Sequence, residues 1–217
     1  MLEKWLLSPK RVKRESEAWL IAKNAQICDW LPWIEHRHPR AAKEIAKRAL
    51  ILNALIQIHF KAPIPAIREW LHKNALADCL SDKERSLIKK TNEELTEQEI
   101  ADLYWLIDSL YALMWVGLKY DELTPISDVP DTLSSLLPSI QQGESAQSFI
   151  QSFHIRPYQQ CFRMLDLFYR AHWYAREGHL TNISTQPFFL DPIMERRRAL
   201  EWYIETTTDW DNIEMST

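Results

Sequence analysis

Residues 100–118 read IADLYWLIDSLYALMWVGL. The length is that of a membrane span, about 20 largely apolar residues. Asp102 and Asp108 lie inside it, however. A carboxylate near the middle of a bilayer costs about 2.5 kcal/mol or more. The segment therefore reads as the central helix of a water-soluble core. Thr96-Glu-Gln-Glu99 opens it with a capping box, and Gly117 marks its end.

Upstream, a second helix is expected from about Arg40 to Phe60. Ile45, Ala49, Leu52 and Ile56 form its stripe, and Ala42, Ala46, Leu50, Ala54 and Ile58 widen that stripe until the helix must be enclosed. Pro63 and Pro65 end it, a short helix follows from Pro65, and Ser81 with Glu84 caps another. A first helix begins at Ser8-Pro9, with Val12, Trp19, Leu20 and Ile27 as apolar positions, and 28–39 is a loop. Downstream, 119–144 carries Pro125, Pro130 and Pro138 and reads as a surface excursion with one short helix near Leu133. Helices then follow over Ser145–Ser152, over Pro157–Glu177 with a stop at Gly178, and from Asp191-Pro192 to about Glu205. The tail, 206–217, is expected to pack on the last helices. Runs of alternating β-branched residues are almost absent. The expected fold is all-α: a single domain over 1–217, an irregular, orthogonal bundle of seven to nine helices with little or no strand.

Composition narrows the function. The 217 residues include only three Gly, so a glycine-rich phosphate loop or dinucleotide fingerprint is not available. Lys and Arg number 26 against 30 Asp and Glu, a net charge of −4. That balance, without a helix-turn-helix signal, argues against nucleic acid. Lys10-Arg11-Lys13-Arg14 and Arg196-Arg197-Arg198 sit among acids and read as solvated helix faces. Cys28, Cys79 and Cys161 form no CxxC pair; lone thiols and an N-terminus lacking an apolar leader fit the cytoplasm. His36-Arg-His38 beside Glu35 is the only tight histidine pair, and a zinc site needs three or four ligands. No HExxH or EF-hand loop occurs, and Glu69-Trp-Leu-His72 is solitary. No metal and no cofactor is expected.

The richest stretch is Asp166 to His179, DLFYRAHWYAREGH. At 100° per residue Asp166, Arg170, Trp173 and Glu177 share a stripe opposite Cys161, Met164, Phe168, Ala171 and Ala175. A tryptophan within a charged stripe wants a cover, which the acidic, Trp-bearing tail could supply. The last helix has apolar residues on two sides, Ile193, Leu200 and Ile204 against Ala199 and Trp202. Glu195 is then partly buried and needs a cation, for which an arginine from 170–176 is the expected source. These considerations gather a candidate binding site from Arg170, His172, Trp173, Arg176, Glu195, Arg198 and Trp202. Arginines beside aromatics suit a small anionic ligand or an acidic protein segment. The competing reading is a small hydrolase or transferase using His172 with Asp166 or Glu195. An enzyme demands an open cleft at His172; a sealed network would move the partner surface to the Trp30–Trp33 loop or to 119–144.

Several pieces also resemble a bacterial family catalogued as domain of unknown function 4272. They are Arg48-Ala-Leu-Ile-Leu52, Trp105 through Trp115 with Gly117, Asp166 through Trp173 with Arg176, Glu195-Arg196, Ala199-Leu-Glu-Trp202 and Trp210-Asp211. They run from about residue 45 to 217, with 119–155 outside the match. The resemblance implies a cytosolic bacterial domain and implies no activity.

Overall fold

The computed structural model describes residues 7–217; residues 1–6 of the expected domain lie outside the described residues. Eight α-helices and no strand occur among the described residues. They are α1 (Pro9–Ala22), α2 (Ala42–His59), α3 (Ile64–Lys73), α4 (Asp82–Leu87), α5 (Glu97–Val116), α6 (Gln147–Gln151), α7 (Tyr158–Thr181) and α8 (Leu190–Ile204). Short 3-10 turns occupy Ala77–Cys79, Asn92–Glu94, Leu133–Leu136 and Trp210–Asn212. α5 packs on both α2 and α8, α7 packs on α8 and α1, and α3 and α6 close over α2.

Enclosure follows sequence pattern. Twelve of the eighteen residues of α2 are buried, and only Lys43 and Glu44 in its first turn are exposed. In α5 the nine consecutive residues Asp108–Val116 are buried, while Asp102 and Tyr104 in its first half reach the surface. Each fully buried leucine or isoleucine contributes about 1.5–3 kcal/mol of transfer free energy. α5 is thus a core helix, and no helix among the described residues is long and apolar enough to cross a membrane.

The capping signals form as written. Ser81 N–H donates to the Glu84 carboxylate at 2.8 Å, and Thr96 N–H donates to that of Glu99 at 2.9 Å. Gly117 ends α5, but not by left-handed backbone: its φ is −78°, and Leu118 takes the left-handed conformation at φ 56°. Glycine is needed there because a Cβ would lie 2.1 Å from the Phe153 ring. Arg156 closes the same end, donating from Nε to Trp115 O at 3.0 Å and from its backbone N–H to Val116 O at 2.8 Å. A cation at a helix C-terminus also answers the helix dipole.

Three boundaries differ from expectation. α1 ends at Ala22, so Ile27 belongs to the following loop. α8 begins at Leu190, which places Asp191 in its first turn instead of at its cap. α7 runs through Gly178 to Thr181 and is ended by Asn182 in left-handed backbone (φ 54°, ψ 38°). Gly178 is there because the chain folds back on it: a Cβ would lie 2.2 Å from Thr185 Cγ2 and 2.8 Å from Ile183 O. The threonine methyl can rotate away; the carbonyl cannot. Gly178→Ala should therefore destabilise despite alanine's higher helix propensity, by about 1–2 kcal/mol net, or roughly 2–8 °C in a melting experiment.

Candidate functional site

α8 carries Glu195-Arg-Arg-Arg198, four charged residues at 100° steps. Wedged between α5 and α7, the helix buries Glu195, Arg196 and Arg197 and leaves Arg198 half-buried. Glu195 accepts from Ser109 of α5 at 2.7 Å and pairs with Arg198 at 3.3 Å. Arg196 donates to Asp108 of α5 at 2.8 Å and to the carbonyls of Thr124 and Ser127. Arg197 turns to α7 and the tail, donating to His172 Nδ1 at 2.7 Å, to Glu201 and to the carbonyls of Met215 and Ser216. Arg196 and Arg197 are 3% and 2% exposed, so the solvated-face reading of this cluster is wrong. The same-helix acids do pair, Glu201 with Arg197 and Glu195 with Arg198, but groups on α5, α7, the 124–127 loop and the tail then cover the run.

α7 supplies a second buried pair. Arg170 grips Asp166 with two parallel bonds of 2.9 Å, donates to Pro32 O at 3.0 Å and lies 3.7 Å from Glu17 of α1. This pair fastens the 28–34 loop to α7. Trp173 packs against a small cluster of Cys28 and Leu31 of that loop with Tyr169. Arg176 is exposed and reaches Thr217. Glu195 takes its cation from Arg198 of its own helix, not from the 170–176 region.

The seven candidate residues thus do not converge. Arg170, His172, Trp173 and Arg176 line none of the four principal clefts, Glu195 and Arg198 line one, and Trp202 lines another. His172 is 4% exposed, and neither Asp166 nor Glu195 hydrogen-bonds it. A guanidinium donates to its Nδ1, so the ring is neutral with its proton on Nε2. Burial first, then Arg197 and Arg176, bring its pKa from 6.5 down to about 4. Nothing in this arrangement supports His172 as a general base. His36 is likewise structural, stacked on Phe162 with ring centroids 4.4 Å apart. Among the described residues no group of three or more His, Cys, Asp or Glu is placed to hold a metal ion.

Two clefts are lined by polar side chains with bonding capacity to spare. One, of about 630 Å³, lies between the first half of α2, residues 79–81 and the 206–210 tail. Its wall holds Arg40, Lys43, Lys47 and Arg48 beside Trp202 and Trp210. Arg40 stacks 4.3 Å from the Trp202 ring and donates to the carbonyls of Trp202 and Glu205. Arg48, 6% exposed, bonds Glu84 and Cys79 O and sits 5.0 Å from the Trp210 ring. Its buried Nε has no hydrogen-bond partner among the described residues. The other, of about 780 Å³, lies between α2, α5 and 125–137, with Asn53, Asp108 and Arg196 in its lining. Sequence reading missed both. A carboxylate inside an apolar helix and an arginine run on a two-sided helix were visible, but helical spacing does not say that Asp108 and Arg196 meet.

Arg170→Ala should cost about 3–5 kcal/mol in urea unfolding, because it leaves the Asp166 carboxylate buried without a cation. Asp166→Leu combined with Arg170→Met should recover most of that loss. Acidification gives a second check. The unfolded chain protonates His172 below about 6.5 while the folded one resists until about 4. Its contribution is therefore intact above pH 6.5 and is lost as pH falls toward 4. The stability difference between the wild type and His172→Gln should shrink by on the order of 3 kcal/mol across that window.

No curated protein and no solved structure matches the chain. A family model, described as Domain of unknown function (DUF4272), matches residues 12–213 of the 217. The match takes in α1 and the 119–155 stretch, beyond the pieces recognised in the sequence. The chain belongs to this family of domains of unknown function.

Proposed function

We propose that the protein is a non-catalytic binding module of the cytoplasm, and that the α2–tail cleft receives an anionic group on a small ligand or on an acidic segment of a partner protein. The observation that carries this reading is charge. Four cations, Arg40, Lys43, Lys47 and Arg48, line the cleft; Glu44 pairs with Arg40 and the buried Glu84 with Arg48, which leaves the two lysines with no ion pair to a carboxylate among the described residues, within a chain of net charge −4. Lys43 is exposed and has no hydrogen bond or ion pair among the described residues; Lys47 has only the Cys79 sulfur at 3.5 Å. The two lysines are one turn apart on one helix face, so both ammonium groups can reach one anion. Trp202 and Trp210 are themselves buried, so they back the arginines and are not platforms for a stacked ligand. The volume falls within the roughly 300–1,000 Å³ common for ligand sites. Three unpaired thiols fit the reducing compartment.

The test is calorimetric titration with inorganic pyrophosphate in one arm and an Asp/Glu-rich peptide in the other. At least one should bind, and more weakly as salt rises. Lys43→Glu with Lys47→Glu should weaken it about tenfold or more while leaving the melting temperature near wild type. Failure of both titrants, or equal affinity in the charge-reversed protein, would overturn the reading.

A further inference from the structure

We propose that the cleft between α2, α5 and residues 125–137 is a separate binding site for a small uncharged molecule with an apolar, ring-sized body and an amide-like head. The argument starts from Asn53. It lies on α2, is only 5% exposed, lines the cleft, and its carboxamide makes no hydrogen bond to the described residues. Among the described residues, the enclosed side-chain atoms without a partner belong to Glu17, Arg48 and Arg170 and none to Asn53, so its carboxamide opens on the cleft, where a ligand can hydrogen-bond it in place of water. A carboxamide offers one acceptor and two donors, and its natural complement is another group that both donates and accepts.

Asp108 adds a second polar point from the facing helix. Arg196 takes its Oδ1, while its Oδ2 accepts no hydrogen bond from the described residues. Arg196 spends Nε on Asp108 Oδ1 and Nη1 on Thr124 O and Ser127 O, and its Nη2 lies 2.6 Å from the same Oδ1, so the guanidinium is turned to Asp108 and the loop carbonyls. The charges of Asp108 and Arg196 cancel within the floor of the cleft. A ligand bearing its own charge would meet a neutral pair already closed on itself, and its desolvation would go unanswered. An N–H donor to Asp108 Oδ2 would not.

The rest of the lining selects the body. Ile56, Trp105, Leu110 and Ile126 wall the cleft, and Phe60 and Phe189 stand exposed at its rim. Large apolar rings left in water beside a cavity of about 780 Å³ gain by closing on an apolar guest. The site shares no lining residue with the cationic α2–tail cleft and does not depend on that reading.

The experiment uses the full chain and ligand-observed saturation-transfer NMR with benzamide, benzoate and toluene. Benzamide should bind more tightly than both of the others. Asn53→Leu should weaken benzamide about five- to tenfold, the loss of one hydrogen bond, and leave toluene unchanged. Val129→Trp, placed on the half-buried loop wall, should abolish benzamide binding by filling the space. Lys43→Glu with Lys47→Glu should leave it as in wild type. Benzoate binding as well as benzamide, or benzamide binding unchanged in the tryptophan variant, would overturn the proposal. Where Asn53→Leu fails to fold by circular dichroism, the tryptophan variant decides.

Discussion

Four charged residues in succession, Glu195 to Arg198, must be kept satisfied on a helix wedged between α5 and α7, three of them buried and Arg198 half-buried. Everything else in the structure answers to that constraint. Each residue points 100° from the last, so the partners have to come from different directions: Ser109 and Asp108 from α5, His172 from α7, and tail carbonyls from 210 to 216. The order of packing, α2 on α5, α5 on α8 and α8 on α7, is the order in which those partners can be delivered.

Buried ion pairs of this kind gain little net stability over well-packed apolar residues, because desolvation offsets attraction. Their effect here is positional. A guanidinium carries five donors, more than one carboxylate can accept. The surplus goes to main-chain carbonyls in segments without regular structure: Pro32 from Arg170, Thr124 and Ser127 from Arg196, Met215 and Ser216 from Arg197, Tyr120 from Arg156, Glu205 from Arg40. Long connections that cannot form ladders of their own are thereby held on the helical body. The 119–144 excursion is tied in this way and also buries Leu123 and Leu133 beneath itself.

Because the charged centre is closed, room for ligands lies around it. α2 and α8 both line these two clefts. Arg48 and Asn53 are five positions apart on α2, about 140° around the axis, and face different cavities. Arg196 and Trp202 divide α8 in the same manner. The cleft beside the tail gathers cations, whereas the one under 125–137 holds a neutralised pair and an amide that opens on the cleft, and these chemistries suit different guests.

The helices themselves were legible in the sequence. Capping boxes, proline positions and apolar periodicity act over three or four residues, and the chain obeys them wherever backbone hydrogen bonding alone decides the outcome. The burial of α2 and the core role of α5 were legible too, since a helix apolar on every side has nowhere else to go. Legibility stopped at the charges. Asp166 and Arg170 were visible as one stripe, but not that the 28–34 loop would close on them. Arg196 and Arg197 looked like a surface run, and Gly178 looked like a stop. Each depends on which remote segment comes to lie against it. That is set by how helices of unequal length cross and where their connections return, a property of the whole packed chain and of no short window within it.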